Sequence, residues 1–300
     1  SIIGIGVVWY FAYARSRVVD AGLFREAFER VPTEPYRVVV PVANPETQHG
    51  LLRLAAATAH ANVESGTPEL VAVNVVEGPR DARVQNVESE RLDHQRELLQ
   101  NARDIATEMD VHLRTRSVVA PETGAAILDV IAEEDADQVL LGWDGAVGES
   151  AYTFGDTTDP IVERARCDVS VVDLTGAAIG TPIALVAPGS NAPAVARRAF
   201  EFATVEGTTP TLLHVTPPGI ASESDAVAAG ESVVEEIARA AGLDDHEYAV
   251  DVVVSDAVED ALIEAVEEYD TVCIGLSDRT EGSGIVYGTV TQHVSERADG

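Results

Sequence analysis

The sequence predicts an α/β protein made of two tandem, doubly wound parallel-sheet units, preceded by part of a membrane helix. Three observations lead to this prediction. The chain has 300 residues, 46% apolar and 24% charged, which suits two globular domains of ordinary composition. Part of its second half repeats the first at a constant spacing. Within each half, short apolar segments alternate with helical patterns, as in parallel sheets whose strands are joined by crossover helices.

The repeat is clearest around two glycine-containing stretches that align at an offset of 133 residues. The aligned positions are Asp137–Gly145 with Asp270–Asp278, Gly155 with Gly288, Thr158 with Thr291, and Glu163–Ala165 with Glu296–Ala298. The offset holds over 29 positions without an insertion. Such constancy indicates two copies of a single folding unit.

Each copy contains short, β-branched, apolar segments without alternation, which are typical of strands covered on both faces. In the first copy, strands are predicted at Arg37–Val42, Glu69–Val76, Thr115–Val119, Gln138–Leu141 and Val169–Val172, with helices near 47–65, 86–109, 123–135 and 157–166. In the second, strands are predicted near Ile183–Ala187, Thr211–Val215, Ala249–Val254 and Thr271–Ile274, with helices near 192–205, 222–242 and 257–268.

The two copies differ at their ends. The first, 36–175, closes with a fifth strand at Cys167–Asp173, whereas the second, 181–300, stops at Gly300 where the corresponding strand should begin. We therefore expect the second unit to lack its last strand and the chain to be a window from a longer protein.

The N-terminal segment predicts the C-terminal part of a transmembrane helix over 1–17. Ile2–Ala14 is a run of 13 apolar or small residues, too short to span a bilayer, which needs about 20. Arg15 and Arg17 follow the run, whereas a signal peptide carries its positive charge before it, and arginines mark the cytoplasmic side. We expect residues 18–35 to be an amphipathic linker. The alternative is a buried or partner-facing helix.

The charge balance excludes one class of partner. The 51 acidic residues outnumber 20 basic ones, all of them arginine, for a net charge of −31. Such a surface repels phosphate backbones, so we expect no nucleic-acid binding. An acidic coat without lysine favours a salt-rich cytoplasm, as in halophiles, over an acidic mesophilic protein. Cys167 and Cys273 are too few for a disulfide scaffold and are predicted to be small apolar residues.

The glycines after the fourth strand form a recognisable pattern. Gly142, two residues, Gly145, nine residues and Gly155 resemble the phosphate loop of the universal stress protein family. The resemblance implies an adenine-nucleotide alpha-hydrolase-like fold, a homodimer, and binding of ATP or AMP. Glycines allow the backbone to approach a ligand closely, and the helix that follows offers free N–H groups to phosphate.

Both copies depart from that family pattern. Asp156 occupies the hydroxyl position of the first copy, although Thr157 or Thr158 could substitute, and Asp278 replaces the middle glycine of the second. The acidic residue that nucleotide-binding members carry after the first strand is absent from both. Two interpretations stay open: a purely structural role for the loops, or retained nucleotide or anion binding. The candidate site residues are Gly142, Gly145, Gly155 and Thr157 in the first copy, and Gly275, Gly288 and Thr289 in the second.

No other pattern predicts catalysis, and we expect a protein that is not an enzyme. The seven histidines do not fall in a metal-binding spacing such as HExxH. His214 lies in a predicted strand, where a hydrogen-bonded core residue is the favoured interpretation. The chain contains neither GxxxxGK[ST] nor GxSxG.

The membrane segment, linker and paired units together resemble the C-terminal end of amino-acid permeases of the amino acid–polyamine–organocation superfamily from salt-loving archaea. The run from Pro35 to Thr47 strengthens the likeness. This resemblance implies a cytoplasmic regulatory module at the cell membrane that senses a ligand or dimerises. Two alternatives stay open: a free-standing soluble tandem stress protein that binds ATP or AMP, and a ligand-free dimerisation scaffold.

Overall fold

The computed structural model describes residues 35–63, 68–78, 89–143, 155–174, 179–218 and 222–275. From Tyr36 onward they belong to one compact unit, Tyr36–Gly300. The predicted membrane helix over 1–17 and all of the predicted linker except residue 35 lie outside the described residues. Within the described ranges, none of the helices combines the length and the hydropathy that crossing a bilayer requires.

The first repeat is a five-stranded sheet with helices on both faces. Its strands are β1 (Arg37–Pro41), β2 (Glu69–Glu77), β3 (His112–Ala120), β4 (Gln138–Trp143) and β5 (Asp168–Asp173), and its described helices are α1 (Pro45–Ala61), α2 (Ser89–Glu108), α3 (Thr123–Glu133) and α4 (Thr158–Arg164). All neighbouring strands are parallel, in the order β3-β2-β1-β4-β5. The chain reverses direction across the sheet between β1 and β4, which confirms the doubly wound prediction.

The second repeat has the same winding. Its described strands are β6 (Pro182–Leu185), β7 (Thr211–Thr216), β8 (Ala249–Val254) and β9 (Thr271–Ile274), and its described helices are α5 (Ala192–Glu206), α6 (Glu223–Ala240) and α7 (Val258–Val266). The strands are parallel in the order β8-β7-β6-β9. The predicted absence of a fifth strand concerns residues outside the described part and stays a prediction.

The third strand starts three residues earlier than its apolar pattern predicts. β3 begins at His112 rather than Thr115 and pairs with β2 over nine residues. Its first residues include charged side chains, which the apolar pattern does not capture. Across the strands, the Arg114 guanidinium lies 3.2 Å from the Glu69 carboxylate. The pairing of β3 with β2 therefore extends beyond the apolar segment of β3.

The two repeats share one hydrophobic core, because α1 and α5 pack against each other and each also covers its own sheet. Offset by 144 residues, each of the seven buried positions of α5 coincides with a buried position of α1. The pairs are Gln48 with Ala192, Leu51 with Val195, Leu52 with Ala196, Ala55 with Ala199, Ala57 with Glu201, Thr58 with Phe202 and Ala59 with Ala203.

A buried carboxylate breaks the symmetry of this helix pair. Glu201 of α5 is 1% exposed and takes the position that Ala57 holds in α1. Its oxygens accept hydrogen bonds from Thr58 Oγ1 at 3.1 Å and Asn62 Nδ2 at 2.6 Å, both across the repeat boundary. Arg198 forms an ion pair with it from its own helix. A buried charge needs such partners, because leaving it unpaired is strongly destabilising.

In each repeat, an aspartate before the fourth strand accepts a hydrogen bond from the backbone at the start of the first strand. Asp137 Oδ2 accepts a hydrogen bond from the backbone N–H of Arg37 at 2.8 Å, and Asp270 Oδ2 accepts one from Thr181 at 3.0 Å. Gly180 precedes this contact with a φ of +58°, and a Cβ there would lie 2.0 Å from the Asp270 carboxylate. The aligned aspartates thus have the same structural role. The repeat pattern identified the two positions but did not indicate the hydrogen bond that they make.

Candidate functional site

The candidate site lies at the carboxyl edge of each sheet, at the point where the winding reverses. In the first repeat this point is between β1 and β4, and in the second between β6 and β9. Open α/β sheets bind ligands in the crevice that forms there, because the connections diverge to opposite faces. Gly142 is the second-last residue of β4 and Gly275 directly follows β9, so the fold brings these two glycines to this edge.

Gly142 and Gly275 serve packing between strand and helix. A Cβ on Gly142 would lie 2.8 Å from Leu51 Cδ1 of α1, and one on Gly275 would lie 3.0 Å from Val195 Cγ2 of α5. Leu51 and Val195 are equivalent positions in the two helices. The first glycine of each loop therefore lets the first helix lie close to the sheet. The sequence left open whether these glycines bind a ligand or have a structural role, and it did not indicate this contact.

Gly155 has a different environment. Its φ is +102°, a conformation that side-chain-bearing residues rarely adopt, and a Cβ there would meet no atom within 4 Å of the part of the chain that the structure describes. Its carbonyl accepts hydrogen bonds from the N–H groups of Thr158 and Asp159 at 3.2 and 3.0 Å, at the start of α4. Backbone conformation, rather than crowding, requires glycine here.

Thr157 is fixed by its backbone and not by its side chain. It is exposed, with φ −86° and ψ −45°, and its hydroxyl makes no capping hydrogen bond to α4. A Cβ on Gly124, near the start of α3, would lie 2.7 Å from the Thr157 carbonyl oxygen. The loop is therefore held against α3 while the Thr157 and Asp156 side chains face solvent.

Of the seven predicted site residues, the structure describes Gly142, Gly155, Thr157 and Gly275. Gly145, Gly288 and Thr289 lie outside the described residues, so their assignment stays a prediction. Gly142 and Gly275 lie against a side chain of a helix. Among the described residues, no atom lies within 4 Å of the Cβ position of Gly155, and Thr157 is exposed.

Buried polar side chains fix the backbone that enters the site. Asn74 Nδ2 donates to the Val42 carbonyl at 2.7 Å, directly after β1, and His214 Nδ1 lies 2.9 Å from the Val186 carbonyl, directly after β6. Because a carbonyl only accepts, the proton of His214 lies on Nδ1. The prediction that His214 is a hydrogen-bonded core residue is confirmed. The sequence did not show that Asn74 is its counterpart.

The residue after β1 does not offer a carboxylate to a ligand. Asn44 caps α1, and its side-chain oxygen accepts a hydrogen bond from the backbone N–H of Glu46 at 2.9 Å. The preceding Ala43 is exposed. An acidic anchor at this position is therefore absent from the first repeat, as the sequence indicates.

Neither cysteine is an activated nucleophile. Burial raises the pKa of Cys167 to about 11, with a further contribution from Asp168, and burial raises the pKa of Cys273 to about 12. Both thiols are protonated at neutral pH, and only thiolates attack or ligate efficiently. Among the described residues, His, Cys, Asp and Glu form no group of three or more that could hold a metal ion.

Comparison with known proteins decides the family. The model of the universal stress protein family matches residues 36–173 and 183–299, one match for each repeat. The chain belongs to the universal stress protein family. Its two sheets and the shared core of α1 and α5 are thus a tandem pair of universal stress protein domains.

Solved structures of universal stress proteins share this fold. One from Archaeoglobus fulgidus DSM 4304 is 14% identical, with a TM-score of 0.54 over 87% of this chain and 92% of that chain. A second, described as a putative universal stress protein of Pseudomonas aeruginosa UCBPP-PA14, is 13% identical, with a TM-score of 0.55 over 89% of this chain and 91% of that chain.

One curated relative is a membrane transporter. The Na(+)/H(+) antiporter NhaS5 of Synechocystis sp. (strain ATCC 27184 / PCC 6803 / Kazusa) is 26% identical over 270 residues, and the match covers 86% of this chain. The match spans 36% of the antiporter's length. The tandem universal stress protein region of this chain therefore resembles part of a larger protein.

Proposed function

We propose that this chain is the cytoplasmic regulatory region of a membrane transporter, and that its first repeat senses an adenine nucleotide, ATP or AMP. The role is regulatory rather than enzymatic. The geometry at Gly155 supports the nucleotide part most directly, and the similarity of both repeats to one stretch of an antiporter supports the transporter part.

The nucleotide would lie at the carboxyl edge of the first sheet. No atom of the described residues lies within 4 Å of the Cβ position of Gly155, and Thr157, two residues further on, is exposed. Gly145 completes the proposed loop. Asp156 adds like-charge repulsion toward phosphate, so we expect weak affinity that depends strongly on salt or on a divalent cation. In the second repeat, Gly275, Gly288 and Thr289 remain the proposed counterparts.

Calorimetric titration with ATP, ADP and AMP in concentrated salt tests this proposal. Saturable heat that is lost in Gly155→Val supports it. Gly207→Val is a matched control, because Gly207 also has a positive φ, +65°, and open space around its Cβ position, but caps the far end of α5. Binding that survives Gly155→Val, or is lost equally in Gly207→Val, would contradict the proposed loop.

The membrane anchor is the second part of the proposal. Residues 1–17 would be the end of a transmembrane helix, 18–35 a linker, and 36–175 and 181–300 domains on the cytoplasmic side of the cell membrane. Sequencing the flanking gene tests it: we expect about ten or more apolar spans upstream. A stop codon directly before Ser1 would contradict the anchor and favour a free-standing soluble tandem protein.

The transported solute distinguishes two versions of the transporter proposal. The N-terminal resemblance favours an amino-acid permease from a halophile, whereas the curated relative favours cation–proton exchange. Proteoliposomes containing the full gene product separate them. Uptake of labelled amino acids supports the permease, and sodium-dependent proton movement supports the antiporter.

A ligand-free scaffold is the second candidate function, favoured by the packing roles of Gly142 and Gly275. In that case the domains only associate, and the expected assembly is a homodimer. Light scattering of the purified chain measures its mass, and the nucleotide titration separates the two candidates. A dimer without saturable nucleotide heat would support the scaffold.

A further inference from the structure

The two repeats differ in the connection that follows their long second helix. In the first, α2 ends at Glu108 and β3 begins at His112. In the second, α6 ends at Ala240 and β8 begins only at Ala249. The second connection has eight residues, five more than the three residues of the first.

The extra residues can be located because both helices end in the same turn. Asp110 and Gly242 have positive φ angles of 51° and 74°, and Val111 and Leu243 each donate a hydrogen bond to the carbonyl five residues earlier, at 3.1 and 3.0 Å. The first repeat then enters its strand at once. The second inserts Asp244–Tyr248, which makes its own turn before the strand.

This insert borders an open cavity of about 440 Å³. Tyr248 and Leu243 are buried, at 9% and 6% exposed, and form its apolar floor. Its rim consists of exposed polar and charged side chains from the insert and from the last two turns of α6. They are Glu235, Arg239, Asp244, Asp245 and His246.

Two polar groups in the cavity have no partner within the described residues. The Arg239 guanidinium makes neither a hydrogen bond nor an ion pair there, and the Tyr248 hydroxyl makes no hydrogen bond. Burial raises the pKa of Tyr248, the carboxylates of Asp245 and Glu235 raise it further, and Arg239 opposes them. Glu235, Arg239, Asp245 and Tyr248 all line the same cavity.

The mixture of charges defines what can bind. A guanidinium and a phenol suit a carboxylate, three carboxylates suit an ammonium group, and the floor suits an aliphatic body. The carboxylates of Glu235, Asp244 and Asp245 disfavour a simple anion, while Arg239 disfavours a simple cation. We propose that this cavity is a binding site for a small zwitterion with an apolar body, of the class of free aliphatic α-amino acids.

Titration of the full chain with L-leucine tests the proposal, with two analogues as controls. 4-Methylpentanoate lacks the ammonium group and 3-methylbutylamine lacks the carboxylate. We expect saturable binding of L-leucine and at least tenfold weaker binding of each analogue, which corresponds to about 1.4 kcal/mol. Absence of saturable leucine binding, or equal binding of either analogue, would overturn the zwitterion assignment.

Variants locate the site. Arg239→Gln should weaken leucine binding at least tenfold, and Tyr248→Phe, which keeps the buried ring, should weaken it severalfold. Arg166→Gln is the control, because Arg166 is an exposed arginine of the first repeat, and it should bind leucine like the parent chain. Circular dichroism confirms that each variant folds. Unchanged binding in folded Arg239→Gln and Tyr248→Phe would place the ligand elsewhere and refute the cavity.

Discussion

The two repeats share a fold and a set of backbone contacts, yet they differ in the interface between them and in one connection. In both, an aspartate before the fourth strand accepts a hydrogen bond from the backbone at the start of the first strand. In both, a buried polar side chain contacts the backbone carbonyl after the first strand, and a glycine lets the first helix pack close to the sheet. They differ in the buried glutamate of α5 and in the five-residue insert after α6. Duplication therefore conserved what builds the sheet and left the interface and the connections free to diverge.

The asymmetric interface should give the largest effect. Glu201→Gln removes the charge that pairs with Arg198, whose side chain is only 12% exposed, so a buried guanidinium loses its ionic partner. We expect a loss of about 3–5 kcal/mol in the free energy of unfolding, measured by urea denaturation. Glu206→Gln is the control, because its pair with Arg53 is about a quarter exposed on both sides and should cost below about 1 kcal/mol. Equal losses in the two variants would refute a key role for the buried carboxylate.

Substitution of the glycines that contact the first helices should give the next largest effect. The loss of stability should be larger in the first repeat than in the second. Gly142→Ala places a Cβ 2.8 Å from the buried Leu51, whereas Gly275→Ala places one 3.0 Å from Val195. We expect Gly142→Ala to destabilise the protein by about 1–3 kcal/mol and Gly275→Ala by less, in thermal and denaturant unfolding. A neutral Gly142→Ala would mean that the glycine is not needed for packing.

The aspartate contacts should give equal effects in both repeats. Asp137→Ala and Asp270→Ala each remove one acceptor from a backbone N–H group, and a hydrogen bond of this kind contributes about 0.5–1.5 kcal/mol. Unfolding experiments on both variants and on the double variant measure the losses, which should add. A large loss in only one repeat would contradict the equivalence.

The cysteines should give the smallest effect, visible only at high pH. Their pKa values are raised to about 11 and about 12, above the ordinary value of about 8.5, so the unfolded thiols ionise first. Their contribution to stability is fully present below about pH 8.5 and is lost as the pH rises toward the raised pKa values. Native-state alkylation near pH 9 should modify the half-buried Cys167 faster than the buried Cys273. The reverse order would contradict their assigned environments.

Much of the fold could be predicted because most strands contain a continuous apolar run bounded by turn residues. The fourth-strand segments at Gln138 and Thr271 illustrate this, since their predicted and observed starts agree. β3 departs from its prediction because charged residues begin it and are paired across strands. The repeat alignment also placed the equivalent aspartates correctly, without indicating the hydrogen bonds that they make.

The site was less predictable because its contacts join distant residues. Leu51 and Gly142 are 91 positions apart in the sequence, so no local pattern shows that the Leu51 side chain packs against this glycine. The same holds for Thr58 and Glu201, which meet across the repeat boundary. By contrast, the positive φ of Gly155 is a local property, and the glycine spacing in the sequence can indicate it. Local conformation is visible in sequence, whereas long-range packing is not.

A crystal structure of the protein grown with ATP in concentrated salt tests the central claim most directly. The account predicts nucleotide density at the carboxyl edge of the first sheet, with its phosphates above Gly155 and next to Thr157. An empty first site at saturating ATP, or nucleotide seated only on the second sheet, would contradict it.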